Sequence, residues 1–376
     1  MKFLVSSIVI KKIIKKIMKK IFDILLLSLV TLCSCSQATK KEVQDNNTKI
    51  EINTRVVNKK EFSIIDRQMI LLDNSDNQSL FSSIAKLQMK DGYIYILSDR
   101  GIPVIYMFDN SGKFVRTIGK TGNGPGEYGR IRDFNVKGNR IYIYDDRMRR
   151  LVSYLIHTGE HLSTSETPFF ARAFSLLNNG DFLFVLPKSQ EHKKVVVTDS
   201  AYNIKNEWID FDKDDLDNRS RASLLQENSS VISYVQAGSN TLYLFSKENG
   251  EFVQQYNLVF DGQAGKREDG DFILSSTPLM LSNVLFGNLH RENKLYVYSV
   301  NKYLSDYTSS VSEIQEGKMN VENILMPISL MNDSTVISYV NDEALVFLSE
   351  KNSGLSEECK EHLKHGGFAL YLYIIK

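Results

Sequence analysis

Chemically capable residues crowd into one stretch, IGKTGNGPGEYGRIRDF, at positions 118–134. Its glycines could turn backbone N–H groups toward an anion while Lys120, Arg130 and Arg132 neutralise it, as in a phosphate cradle. The spacing argues otherwise. A P-loop needs G-x-x-x-x-G-K-[ST]. Gly119-Lys120-Thr121 supplies the end of it, but the position five before Gly119 is Phe114. The dinucleotide fingerprint G-x-G-x-x-G fits Gly122 and Gly124 and then meets Glu127. Neither pattern runs into a helix whose N-terminus could receive a phosphate. What remains is geometric: a crossing between strands that needs positive-φ glycine and a stiff corner at Pro125, with Tyr128 packed beside it. No cofactor is called for.

The rest of the chain offers thinner chemistry. The six histidines, His157, His161, His192, His290, His362 and His365, form no metal-ligand pattern with neighbouring carboxylates or cysteines. No G-x-S-x-G elbow is present. The acidic run DFDKDDLDNRSR at 210–221 reads as a solvated loop rather than an acid–base pair. Cys359, spaced with Leu355 and Leu363 ahead of Gly366-Gly367, reads as a thiol packed under a short helix.

What must position these residues is a repeat. Turn residues followed by an apolar–aromatic strand recur as DGYIYILSD (91–99), GNRIYIYDD (138–146), NGDFLFVLP (179–187), SNTLYLFSK (239–247), ENKLYVYSV (292–300) and NDSTVISYV (332–340). Their centres, Ile94, Ile141, Phe182, Leu242, Leu295 and Val336, are spaced by 47, 41, 60, 53 and 41 residues. A period of roughly 40–50 with several short strands per repeat marks a β-propeller. One such sheet cannot bury both faces alone, so the units stack around an axis. The sequence therefore predicts an all-β fold over 62–376: a six-bladed β-propeller with four-stranded antiparallel blades. The first blade is expected at 84–89, 93–97, 104–108 and 113–118, the second at 131–136, 141–144, 151–156 and beyond the turn at 157–160. The ring is expected to be closed by the N- and C-terminal strands, FSIIDRQMILL (62–72) against FALYLYIIK (368–376).

In a four-stranded blade, the crossing loop and the loop between second and third strands leave on the same face. That face would gather Arg100, Lys120, Glu127, Arg130, Arg132, Asp145 and Arg147 around a central funnel, beside Asp99 and Asp146. His192, Lys247, Lys302 and Asp342 are expected there from other units. Two readings stay open: a mixed-charge rim that binds a ligand, or aspartates that cap their own turns beside solvated arginines.

The N-terminus is a different material. Residues 1–34 run from lysine-rich to apolar to small and polar, the layout of a secretory signal. The apolar run at 24–32 is shorter than the about 20 residues of a membrane span. A start at Met18 would leave a compact signal, and the choice between Met1 and Met18 stays open. Leu32-Cys33-Ser34-Cys35 resembles the bacterial lipobox, which makes Cys35 the lipid attachment site and the bilayer a partner through its acyl chains. Residues 35–61 read as a polar tether. Residues 1–34 hold seven Lys and one Asp of the chain's 46 basic and 45 acidic residues, so the mature chain carries a net charge of −5. That excludes a basic surplus for nucleic acid. With Cys35 acylated, only Cys359 remains and no intramolecular disulfide forms.

At this point the chain resembles a known family, the six-bladed β-propeller lipoproteins of Bacteroides and relatives, akin to NHL-repeat and TolB-like propellers. The resemblance is carried by IYILSDRGIPVIYMFDNSGKFVRTIGKTGNGPGEYGRIRDF (94–134), IYIYDDRMRRLVSYLIHTGEHL (141–162) and SEECKEHLKHGGFALYLYIIK (356–376), and it covers about 62–376. It implies the fold and an envelope location, and no reaction, since fold alone does not settle function. The expectation is an outer-membrane lipoprotein with a monomeric propeller that binds a peptide, a glycan or an envelope protein on the glycine-loop face. SQATKK after Cys35 lacks an acidic run, which favours the periplasmic side over surface display. The competing class is a metal-dependent hydrolase, lactonase or lyase with its site in the funnel.

Overall fold

Short strands with apolar residues on both faces dominate the chain, and their side chains sort into two directions. In Tyr93–Ser98, Ile94 and Ile96 enter a buried cluster with Phe368, Leu370 and Leu372. Tyr95 and Leu97 enter another with Phe134, Ile141 and Ile143. Successive residues of a strand face opposite ways, so a sheet sandwiched between two others must be apolar throughout. Six such clusters lie between successive sheets and join them into a ring.

The computed structural model describes residues 47–54, 62–101, 103–189, 191–212, 223–236, 238–262, 270–301 and 309–376. The signal 1–34, Cys35, most of the tether, positions 213–221 of the acidic run and Lys302 lie outside the described residues. The expected six-bladed β-propeller is what forms. Its blades span 86–118, 131–166, 173–208, 225–260, 273–313, and 327–375 together with 64–72. Ring closure is as expected: Ile64–Leu72 pairs antiparallel with Phe368–Ile375, placing Leu72 opposite Phe368 and Met69 opposite Tyr371. Among the described residues, helix is confined to the loop between the second and third strands of blade six. It comprises a 3-10 turn, Glu343–Phe347, and the helix Glu357–Lys364. Ser356 caps that helix, which buries Cys359 and Leu363. Cys359 is a packed core group as expected, and burial pushes its thiol up.

Three details differ from expectation. Within the segment read as a tether, Asn47–Ile52 is a strand that pairs parallel with Phe252–Phe260 and gives blade four a fifth strand. Ile50 and Ile52 alternate into the core between blades four and five. Blade five has its inner strand split into Ile273–Leu274 and Leu279–Met280, both pairing with Val284–Arg291. The repeat centres Leu242 and Leu295 belong to third strands, Thr241–Ser246 and Lys294–Asn301, whereas Ile94, Ile141, Phe182 and Val336 belong to second strands.

Candidate functional site

The glycine loop connects Phe114–Ile118 of blade one to Ile131–Lys137 of blade two. At Gly119, φ is +70°, and a Cβ there would stand 2.7 Å from the Tyr128 ring. Only glycine tolerates both conditions. Tyr128 is buried in the core between blades one and two, as anticipated. The loop is stitched by its own backbone: Gly122 N–H donates to the Tyr128 carbonyl at 3.0 Å, and Tyr128 N–H to that of Lys120 at 3.0 Å.

Two carboxylates expected at the rim hold this loop instead. Glu127 accepts from Gly124 N–H at 2.8 Å. That N–H, with the Lys120 ammonium behind it, holds the Glu127 carboxyl below its usual range. Asp145 is fully buried. It accepts from the N–H groups of Gly129, Arg130, Arg147 and Met148 and from Arg150 Nε. Asp145 thus clamps its own loop and the glycine loop, and it does not line the funnel cavities described below. Lys120 is 82% exposed with Nζ 3.6 Å from Glu127, and Arg147 is exposed with its stem beside Gly129. Neither lines the funnel cavities described below.

The funnel itself has two unlike walls. Over blades one to three, a cavity of about 330 Å³ is lined by Lys86, Arg130, Arg132 and Arg172 with Asp99, Asp133 and Asp146. Arg130 grips Asp146 through Nε and Nη2 at 2.6 and 2.8 Å. Lys86 Nζ meets Asp133 at 2.7 Å, both buried. Arg132 Nε donates to the Arg172 carbonyl at 3.2 Å. Burial, and next the Arg172 charge, push the Arg132 guanidinium below its ordinary range. Over blades five and six, an adjoining cavity of about 400 Å³ is lined by Ser275, Ser276, Asn288, Tyr296, Tyr339 and Asn341. Ala85, Asp99 and Ser223 line both. Arg100 and Glu343 also line the second cavity and pair there at 2.7 Å.

Of the predicted rim, the structure brings Arg130 and Arg132 together with Asp99 and Asp146, and places Arg100 in the adjoining cavity. Asp342 caps the 3-10 turn. His192 Nδ1 lies 3.0 Å from Glu207 on the outer strand of blade three, away from the funnel. Lys247 lies at the opposite end of the axis, where it pairs with Glu227 and lines a third cavity of about 490 Å³. It follows a third strand rather than a second, so its turn leaves on the other face. Sequence reasoning missed Arg172. The signal was available, because Arg172-Ala173-Phe174 repeats Arg132-Asp133-Phe134 at the head of the next inner strand. Among the described residues no three His, Cys, Asp or Glu side chains converge to hold a metal, and no helix is long and apolar enough to cross a membrane.

A family model, DUF5128, described as a 6-bladed beta-propeller, matches residues 36–269. Among solved structures, a protein of Bacteroides fragilis described as exported superposes with TM-score 0.67 at 16% identity, over 87% of this chain and 99% of that one. Hydrazine synthase of Kuenenia stuttgartiensis gives TM-score 0.42 at 9% identity, over 78% of this chain and 86% of that one. The Neurospora crassa Pan2 WD40 domain gives 0.39 at 12% identity, over 77% and 75%. The last two likenesses are too low to carry an argument. No functionally curated protein matches the sequence.

Proposed function

The chain belongs to this six-bladed β-propeller family, and on that premise we propose that it is a lipid-anchored binding or scaffold module of the bacterial cell envelope. Its propeller is of the NHL-repeat and TolB-like kind, tethered to the outer membrane through acylated Cys35 and facing the periplasm. The signal-like leader and lipobox support the anchor, and the Bacteroides fragilis neighbour is described as exported. Its ligand, a glycan, a peptide or a partner protein, enters the funnel on the glycine-loop face.

The observation that carries the reading is the funnel with its two adjoining cavities, one rich in paired and clustered charge, the other lined by hydroxyls, amides and tyrosines together with Asp99, Arg100 and Glu343. Concave sites with a few placed polar groups are where propeller-sized proteins take ligands. The enzymatic alternative, a metal-dependent hydrolase, lactonase or lyase, would use the same funnel and would require a set of metal ligands at the axis.

The test is crosslinking in intact cells followed by co-purification, comparing the natural chain with Ser223→Trp, which fills the junction of the two cavities. A partner captured by the first and lost from the folded variant supports the reading, whereas equal capture overturns it. The anchor is tested separately by Cys35→Ala, expected to move the protein from the membrane to the soluble fraction. Continued tight membrane association would refute lipidation.

A further inference from the structure

We propose that the corner of the glycine-loop face over blades two and three docks an acidic segment of a partner protein that carries an apolar side chain. Arg147, Arg149 and Phe170 would grip it. None of the three lines a funnel cavity, so the inference goes beyond the funnel reading and stands or falls apart from it.

Two loops build the corner. One carries Arg147, Met148 and Arg149 between the second and third strands of blade two, and the other, at 167–172, crosses to the inner strand of blade three. Phe170 is 52% exposed and Met148 43%, and the Arg149 guanidinium stacks on the Phe170 ring at 5.3 Å. Their outward aim is built in. Phe170 stands between two anchored neighbours: the Phe169 carbonyl accepts from the Tyr144 hydroxyl at 3.1 Å, and Ala171 N–H donates to that hydroxyl at 2.9 Å. Asp145 takes the N–H groups of Arg147 and Met148 at 3.1 and 3.2 Å. Thr167 donates its N–H and Oγ1 to the Arg149 carbonyl at 2.8 and 3.1 Å. Arg149 is thereby kept at φ +50°, where residues other than glycine seldom sit. The glycine loop makes room through Gly129, where a Cβ would stand 3.1 Å from Cδ of Arg147. Apolar side chains held in water by a clamped, strained backbone mark an interaction surface.

The chemistry of the corner selects its occupant. Among the described residues neither Arg147 nor Arg149 has a carboxylate partner. The mature chain carries a net charge of −5, so an acidic partner meets attraction at this corner and repulsion from the molecule as a whole. Such a pattern fixes where a partner lands and how fast. Arginine, phenylalanine and methionine are types that protein interfaces gather, and side chains already fixed in place lose little freedom on binding. A bilayer is the weaker match, because lipid recognition by charge takes about four to eight clustered Lys and Arg.

The test is a fluorescence polarisation titration of the soluble mature chain with three labelled nonapeptides. The first is three aspartate–tryptophan–glycine repeats, the second has lysine for aspartate, and the third has serine for tryptophan. The first should bind about tenfold or more tighter than the others, the scale of one charge-assisted contact. Phe170→Ser and Arg149→Gln should each weaken it by about tenfold. Their melting temperatures should scarcely move, because both side chains project into water. Ser223→Trp, which fills the funnel, should leave peptide binding unchanged. Equal affinity for the three peptides, affinity that survives both corner substitutions, or no binding of the first at millimolar concentration would overturn the proposal. Loss of binding on Ser223→Trp alone would move the peptide to the funnel and overturn the corner without touching the funnel reading. Co-sedimentation with phosphatidylglycerol vesicles and sedimentation velocity of the chain alone complete the test. Vesicle binding or dimerisation abolished by both corner substitutions would assign the surface to a membrane or a second copy instead.

Discussion

Two arcs of the ring are joined at the axis by different chemistry. Through blades one to three the inner strands run unbroken and each bonds to the next. Lys86 reaches Asp133 at 2.7 Å, Asp133 accepts from Phe174 N–H at 2.9 Å, and Asn135 donates to the Phe174 carbonyl at 2.6 Å. In the other arc the inner strand of blade five is split, and blade four reaches past it to blade six. There Gln226 donates to the Ile328 carbonyl at 3.0 Å, and Ser229 bonds Asp333. Complete strands hold both partners of a buried ion pair in fixed places, so charge can be buried. Across the gap the Gln226 amide bridges to backbone, and Asp333 accepts from the Ser229 N–H and hydroxyl rather than from a cation. The two walls of the funnel inherit that difference.

The comparison is broken most directly in the charged arc. Asp133→Ala leaves the Lys86 ammonium buried and uncompensated, and should cost about 3–5 kcal/mol in urea unfolding. Glu227 sits at the seam between the arcs, bonded by Ser175 at 2.6 Å and by Lys247. Burial raises its carboxyl, but the Lys247 charge and the hydrogen bonds outweigh burial and hold it below its usual range. A folded value below the unfolded one means stability that is complete above about pH 4.3 and lost as pH falls through the folded value. Glu227→Gln should therefore flatten the acid limb of melting temperature against pH, and matching limbs would remove Glu227 from that role. In the neutral arc, Gln226→Ala deletes one hydrogen bond and should cost about 1 kcal/mol. A loss as large as that of Asp133→Ala would erase the distinction between the arcs. Smallest is Arg130→Ala, because the Arg130 side chain is largely exposed and water can replace it beside Asp146, at a cost of about 1 kcal/mol. Its melting temperature should scarcely move.

The number of blades and the first two of them were legible because each strand there follows a clear turn. Strand rank was not. Second and third strands of a buried blade are both flanked by sheets, so SNTLYLFSK and ENKLYVYSV look like DGYIYILSD although they stand one place further out. That slip accounts for the long interval of 60 residues before Leu242 and the short one of 41 after Leu295. The strand Asn47–Ile52 was hidden by its lysine and glutamate, though Ile50 and Ile52 already kept the two-residue alternation. At the site, the residue types of the rim were readable but not their duties. Whether Asp145 faces a ligand or its own loop depends on the backbone N–H groups turned toward it, which residue type alone does not encode.

The clasp also sets an order of events. Ile64–Leu72 finds its partner in Phe368–Ile375, and Asn47–Ile52 finds its own in Phe252–Phe260. A ribosome delivers the first member of each pair long before the second, and closing so long a loop is entropically slow. Ile64–Leu72, made early, is therefore among the last strands to be paired. A chain built this way cannot lock into its ring before its final strand exists, and until then it stays threadable.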